Sequence, residues 1–136
     1  MYLFREAGRN IIEGGELMRK LDAKIAEALG WQGIPDTLVY DSCGEKYNGI
    51  PPGLTGYRAV PRYSTDGNAM LELDKEMRER GYGAELSFYG DSEYVCNFAH
   101  QEMDKPRCNY WATADTMPKA VALAAHKALT GRDWVG

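Results

Sequence analysis

Seven consecutive residues gather most of the chemistry this chain has to offer: Val60, Pro61, Arg62, Tyr63, Ser64, Thr65 and Asp66, directly ahead of an amphipathic stretch that stops at Gly81. They bring a rigid turn, a guanidinium, an aromatic ring, two hydroxyls and a carboxylate to the start of a helix. Such an end carries unpaired backbone N–H groups and the positive pole of the helix dipole, so it either caps itself or receives an anion. As a receptor, the amides and a bidentate Arg62 would hold a phosphate. Ser64 or Thr65 would donate hydroxyls to it, and Tyr63 would stack on a base. As a cap, Thr65 or Asp66 accepts from a first-turn N–H while Arg62 pairs with a neighbouring carboxylate. Asp66 also adds a negative charge that a bound anion has to tolerate. The sequence leaves both readings open.

Two further groups carry reactive or recognition side chains. Arg107, Asn109, Tyr110 and Trp111 combine charge, amide and aromatic rings on one candidate strand, where alternation sends one ring inward and the other outward. Arg107, Asn109 and Trp111 therefore join Arg62, Tyr63, Ser64 and Thr65 as candidate ligand-binding residues. Cys96, His100 and Cys108 offer zinc-type donors, but a tetrahedral site wants a fourth ligand and none is evident, so no metal is expected. Buried thiols and a satisfied histidine explain these residues more simply. Nucleophilic catalysis has little to work with. There are two histidines, and His126 is expected on the outward or boundary side of an Ala-rich helix. No serine sits in a Gly-flanked elbow. The carboxylate pairs Asp91 and Glu93, and Glu102 and Asp104, fall in turns, where charges are ordinarily solvated. Neither an enzyme nor a cofactor is expected.

The elements that must position these groups follow from periodicity. Leu17, Leu21, Ile25 and Leu29 recur every four residues, with Arg19, Lys20, Lys24 and Glu27 off that stripe, which predicts a helix closed by Gly30, with Trp31 folded back on its last turn. Residues 32–56 hold Pro35, Gly44, Gly49, Pro51, Pro52 and Gly53 and read as a long irregular insert with a short edge strand over Thr37 to Tyr40. Met70, Leu73 and Met77 mark the buried face of a second helix. Alternation from Tyr82 to Tyr89, a turn, Tyr94 to His100, a charged loop and Arg107 to Thr113 give an antiparallel meander. Thr116 caps a final helix with Pro118 in its first turn and Gly131 at its end. The order predicts one domain over residues 1–136. Its class is α+β, an α-β-α layered sandwich with a three- to four-stranded antiparallel meander and three helices.

Composition sets the outer limits. The 136 residues are 44% hydrophobic and 26% charged, typical of a globular domain rather than a disordered or fibrous chain. A net charge of -4 with scattered basic residues argues against duplex nucleic acid as partner. No apolar run is long enough to cross a bilayer, and residues 1–6 lack the apolar core of a signal peptide, so a cytoplasmic location and no membrane partner are expected. Three cysteines, Cys43, Cys96 and Cys108, are then free thiols. Nine tyrosines are the one compositional peculiarity, as core rings or a stacking surface.

The Pro61-Arg62-Tyr63-Ser64-Thr65-Asp66 string ahead of a helix, the aromatic-rich meander, and Ala114-Asp115-Thr116-Met117-Pro118 opening an Ala-rich helix resemble the phage ABA sandwich family. The Leu29-Gly30-Trp31 helix ending is similar too, and the likeness covers most of the chain outside residues 32–56. It implies an α-β-α layered domain of bacteriophage or prophage source, at work in the host cell cytoplasm. It transfers no catalytic residue. The helix, three strands, helix order is also similar to double-stranded RNA-binding domains, but Lys119 and Lys127 alone offer little to a phosphate backbone. The function expected is a non-catalytic binder that sequesters a nucleotide-derived host immune signal, with its pocket shared between subunits of a homo-oligomer. The alternative is a protein-binding module that blocks a host or phage enzyme through its acidic surface and its Pro/Gly insert.

Overall fold

The computed structural model describes residues 7–42, 44–90, 93–100 and 108–134. It is an α+β domain in which three helices accompany a three-stranded antiparallel meander. Helix α1 spans Ala7–Ala28 and closes at Gly30, whose φ of 105° belongs to the left-handed region. The Gly30 amide donates to the Glu27 carbonyl and the Trp31 amide to the Ala26 carbonyl, each at 3.0 Å, which is the paired closure of a Schellman end.

The segment expected to be irregular apart from a short strand over Thr37 to Tyr40 carries two short ladders, the first of which overlaps that strand at Val39 and Tyr40. Strand β1 (Val39–Asp41) pairs with β2 (Gly44–Lys46), and β3 (Asn48–Gly49) pairs with β4 (Arg58–Ala59), all antiparallel. Gln32 and Ile50 exchange backbone hydrogen bonds at 3.0 and 2.7 Å, and the Val60 amide donates to the Tyr47 carbonyl at 2.8 Å. Tyr47, 1% exposed, fixes the whole segment to the core. The insert is therefore part of the packed domain rather than an appendage.

Helix α2 runs Gly67–Glu79 and turns through Gly81, at φ 92°, into β5 (Tyr82–Tyr89). Strands β6 (Glu93–His100) and β7 (Asn109–Ala114) complete the meander in the order β5-β6-β7. Helix α3, Met117–Thr130, is capped by Thr116 and ends at Gly131 in the left-handed conformation. The register places Ala84, Leu86 and Phe88 opposite Phe98, Cys96 and Tyr94, and these opposite Tyr110, Ala112 and Ala114, on one face of the sheet. That face takes the helices. Helix α3 packs on β6 and β7, α2 on β5, and α1 on α3. The Tyr82 hydroxyl donates to the Ala128 carbonyl at 3.4 Å across this layer. Ala120, Ala124 and Ala125 are fully buried, and their small side chains let the α3 backbone approach the sheet closely. The opposite face carries Glu85, Ser87, Tyr89, Asn109, Trp111 and Thr113 on its outer strands, while Val95, Asn97 and Ala99 of β6 are buried along its centre.

Candidate functional site

The Val60–Asp66 segment is held from beneath by α1. Arg19 and Asp22 sit one turn apart on that helix and are 6% and 0% exposed. Arg19 Nη1 lies 2.8 Å from Asp22 Oδ2. The same guanidinium donates to the Val60 carbonyl at 3.1 Å and the Pro61 carbonyl at 3.3 Å, and it stands 5.9 Å from the Tyr47 ring centroid. The other carboxylate oxygen of Asp22 accepts the Ser64 amide at 2.9 Å. Burial pushes the Asp22 carboxyl above its ordinary pKa, and the Ser64 hydrogen bonds and Arg19 pull it back. A buried pair this fully hydrogen-bonded spends both charges on the backbone of one loop.

The expected ligand-binding residues separate accordingly. Ser64 is 1% exposed, and its hydroxyl donates to the Met18 carbonyl at 3.4 Å. Tyr63 is 4% exposed and belongs to the core, so its ring face does not stand ready to stack on a base. Burial first, then Glu72, Glu76 and Asp22, raise its hydroxyl pKa. The Thr65 and Asp66 amides both donate to the Arg62 carbonyl, at 3.2 and 2.9 Å, and the Asp66 carboxylate caps α2 by accepting from the Ala69 amide at 3.0 Å. Of the two caps the sequence allowed, Asp66 is the one used. The side chains of Arg62 and Thr65 are exposed at this entry. The loop thus satisfies several of its own polar groups internally, and the anion cradle expected from its residue types is largely occupied by protein.

Asn109 and Trp111 lie elsewhere, on the sheet face turned away from the helices. Trp111 is 52% exposed, while its neighbour Tyr110 packs against the core. Opposite Trp111 stands Asn97, 1% exposed, whose amide nitrogen donates to Asn109 Oδ1 at 2.9 Å and to Glu85 Oε1 at 3.5 Å. Asn97 Oδ1 accepts the Tyr110 amide at 2.9 Å. Arg107 lies outside the described residues, as do Cys43, Asp91, Glu102 and Asp104. The register places Cys108 beside His100, whose amide donates to the Cys108 carbonyl at 3.0 Å. Cys96 is fully buried, and burial pushes its thiol up to about 12. Among the described residues no group of three or more His, Cys, Asp or Glu side chains gathers as a metal site would.

The concavity next to the Val60–Asp66 loop opens on its other side. A groove of about 460 Å³ lies between the end of α1, the Pro51-Pro52 corner and the outer face of α2. Trp31 and the two prolines form one wall, and Pro61 and Tyr63 contribute the loop side. Glu72, Lys75, Glu76 and Arg80 line the helix side. Pro52 is set by close approach to the helix end, since a Cβ on Gly30 would lie 3.2 Å from Pro52 Cγ. Arg80 Nη2 donates to the Leu29 carbonyl at 3.0 Å and ties the end of α2 to the end of α1 beneath the groove. The aromatic and proline wall faces two cations and two carboxylates, a combination able to hold a flat, polar, charged small molecule. Sequence reading missed this site because Trp31 reads as a helix-end residue and Lys75 as part of a solvated helix face. The i, i+4 spacing of Glu72 and Glu76 beside Lys75 was the available signal. Comparison with protein-family models, with curated proteins and with solved structures finds no match for this chain.

Proposed function

We propose that this chain is a non-catalytic binding protein of bacteriophage origin that sequesters a nucleotide-derived host immune signal in the groove between Trp31, the Pro51-Pro52 corner and α2. The observation that carries the reading is the content of that groove: an indole wall, two cations and two carboxylates around about 460 Å³, within the about 300–1,000 Å³ usual for small-molecule sites. Trp31 offers a surface for a base, Lys75 and Arg80 attract phosphate, and Glu72 and Glu76 accept from ribose hydroxyls or exocyclic amines. The phage source rests on the resemblance of the Pro61 to Asp66 string. Arg62, exposed at the α2 entry, serves in this reading as an electrostatic guide rather than a buried clamp.

Calorimetric titration with ADP-ribose and with cyclic dinucleotides tests the proposal. A dissociation constant in the micromolar range or tighter is expected for one of these classes, with at least a tenfold loss in Trp31→Ala and in Lys75→Glu. Failure of both classes to bind would end this reading.

A protein-binding module is the second reading, and it has an observation of its own: Tyr40 on β1 and Tyr57 just before β4 are 61% and 66% exposed, with Val39 and Leu54 also exposed. Exposed aromatics on short loops suit a partner surface. Deleting residues 44–53 does not separate the two readings, because Tyr47 lies in the core. Tyr40→Ala with Tyr57→Ala does: it leaves nucleotide binding intact under the first reading and abolishes partner capture under the second.

A further inference from the structure

The edge strand β5 is unusual in what it leaves uncovered. It is eight residues long, pairs with β6 alone among the described residues, and carries a single charge, Glu85. Edge strands are normally blunted by lysines, prolines, bulges or brevity, and β5 has none of these. Leu86, Phe88 and Tyr89 are 50%, 53% and 59% exposed. Beside the strand, Met70 and Leu71 of α2 and Val121 of α3 join Ala84 and Leu86 in an apolar cleft of about 250 Å³, with Asp74 and Arg78 at its rim. Leu71 is itself 60% exposed.

The order of side chains along β5 points to its occupant. Antiparallel pairing of a strand with its own copy requires a two-fold axis through a residue position, because directly opposed side chains share a face. Two such axes keep nearly the whole strand in register, one through Glu85 and one through Leu86. The axis at Glu85 sets two carboxylates directly against each other, which is destabilising. The axis at Leu86 sets Leu86 against Leu86, Phe88 against Ala84, Tyr89 against Gly83 and Glu85 against Ser87. Every large side chain then meets a small one or its own apolar copy, and the only charge meets a hydroxyl. On the helix side, Phe88 of the second copy comes to lie over Ala84, in the cleft beside Leu71. Large-to-small complementarity and the absence of a like-charge clash in one register favour a second copy of this chain over a foreign strand, which would have no reason to match that order.

We propose that β5 pairs antiparallel with β5 of a second copy across a two-fold axis at Leu86, joining the two meanders into one continuous sheet and filling the α2–β5 cleft. The interface is independent of the groove at Trp31. It leaves that groove open in each copy.

Sedimentation velocity on the full chain tests the interface. At about 50 μM a dimer is expected. Leu86→Lys, which sets two ammonium groups together at the axis, is expected to weaken it by roughly 100-fold. Leu86 is half exposed in the single chain, so the far-UV circular dichroism of this variant should match wild type. A second variant avoids reliance on disruption: in a Cys43→Ser, Cys108→Ser background, Leu86→Cys should cross-link to its own copy on mild oxidation, and Ser87→Cys, which faces Glu85, should not. A monomeric wild-type chain, an assembly that grows beyond the dimer, a Leu86→Lys variant that remains dimeric, or equal cross-linking at both positions would each overturn the proposal.

Discussion

Arg19 and Asp22 decide what the Val60–Asp66 loop is for. Each is buried, each is polar, and together they take two carbonyls and one amide from a loop more than forty residues away in sequence. Replacing one member leaves the other charged and dry, which costs about 3–5 kcal/mol, whereas replacing both with apolar residues of similar size is close to neutral. Asp22→Ala is therefore expected to lower the urea midpoint sharply with little change in slope. The pair Arg19→Met with Asp22→Leu should be far less damaging than the two single changes summed. His126 supplies a second residue-scale prediction. Contrary to the outward or boundary position expected on α3, it is 7% exposed, because its ring packs edge-on against Trp134 with centroids 5.4 Å apart. Burial lowers its pKa below 6.5 and Lys24 adds to this, while the Arg132 backbone and Asp133 act against it. The folded chain then binds fewer protons than the unfolded one as pH falls below 6.5. Stability from this group is complete above that pH and declines toward the folded-state value. Thermal melts between pH 7.5 and 5.5 should show a fall in Tm that is smaller in His126→Leu.

At the scale of elements, the parts with a local signal were readable and the parts built by distant contacts were not. Helices α2 and α3, their Gly81 and Gly131 ends and the meander follow from period and punctuation alone, since each buries one repeating face. Periodicity also put Arg19 off the apolar stripe of α1, and nothing local says that a polar residue there turns inward to meet a loop. The ladders within residues 32–59 are two or three residues long, too short for any alternation to emerge, and they depend on Tyr47 and on close approach at Gly49. A Cβ on Gly49 would lie 2.5 Å from Ile34 Cγ1 and 3.1 Å from the Gln32 carbonyl. Gly49→Ala should therefore cost about 1–3 kcal/mol through overpacking, visible as a reduced denaturation midpoint. Asp66→Ala should cost about 1 kcal/mol by freeing the Ala69 amide. If the carboxylate served a ligand instead of the helix, Asp66→Ala would leave stability unchanged and alter binding.

For the whole molecule, the consequence is a division of labour. The loop richest in reactive side chains is spent on structure, with Ser64 and Tyr63 buried and Asp66 capping α2. The sheet face bearing Asn109 and Trp111 lies away from it, across the meander from the helices. Between α1, Pro51-Pro52 and α2, the groove at Trp31 brings aromatic, cationic and carboxylate groups together around about 460 Å³. That site was only partly legible in the sequence, because its walls come from three segments that no motif links. The chain's three tryptophans report on three separate regions: Trp31 in the groove, Trp111 half exposed on the sheet face turned from the helices and Trp134 beside His126. The most direct test is therefore to follow their indole N–H resonances during titration with ADP-ribose or a cyclic dinucleotide. The proposed function requires the Trp31 resonance to shift saturably while Trp111 and Trp134 stay in place. A saturable shift at Trp111 with none at Trp31 would contradict it, and so would three unmoved signals.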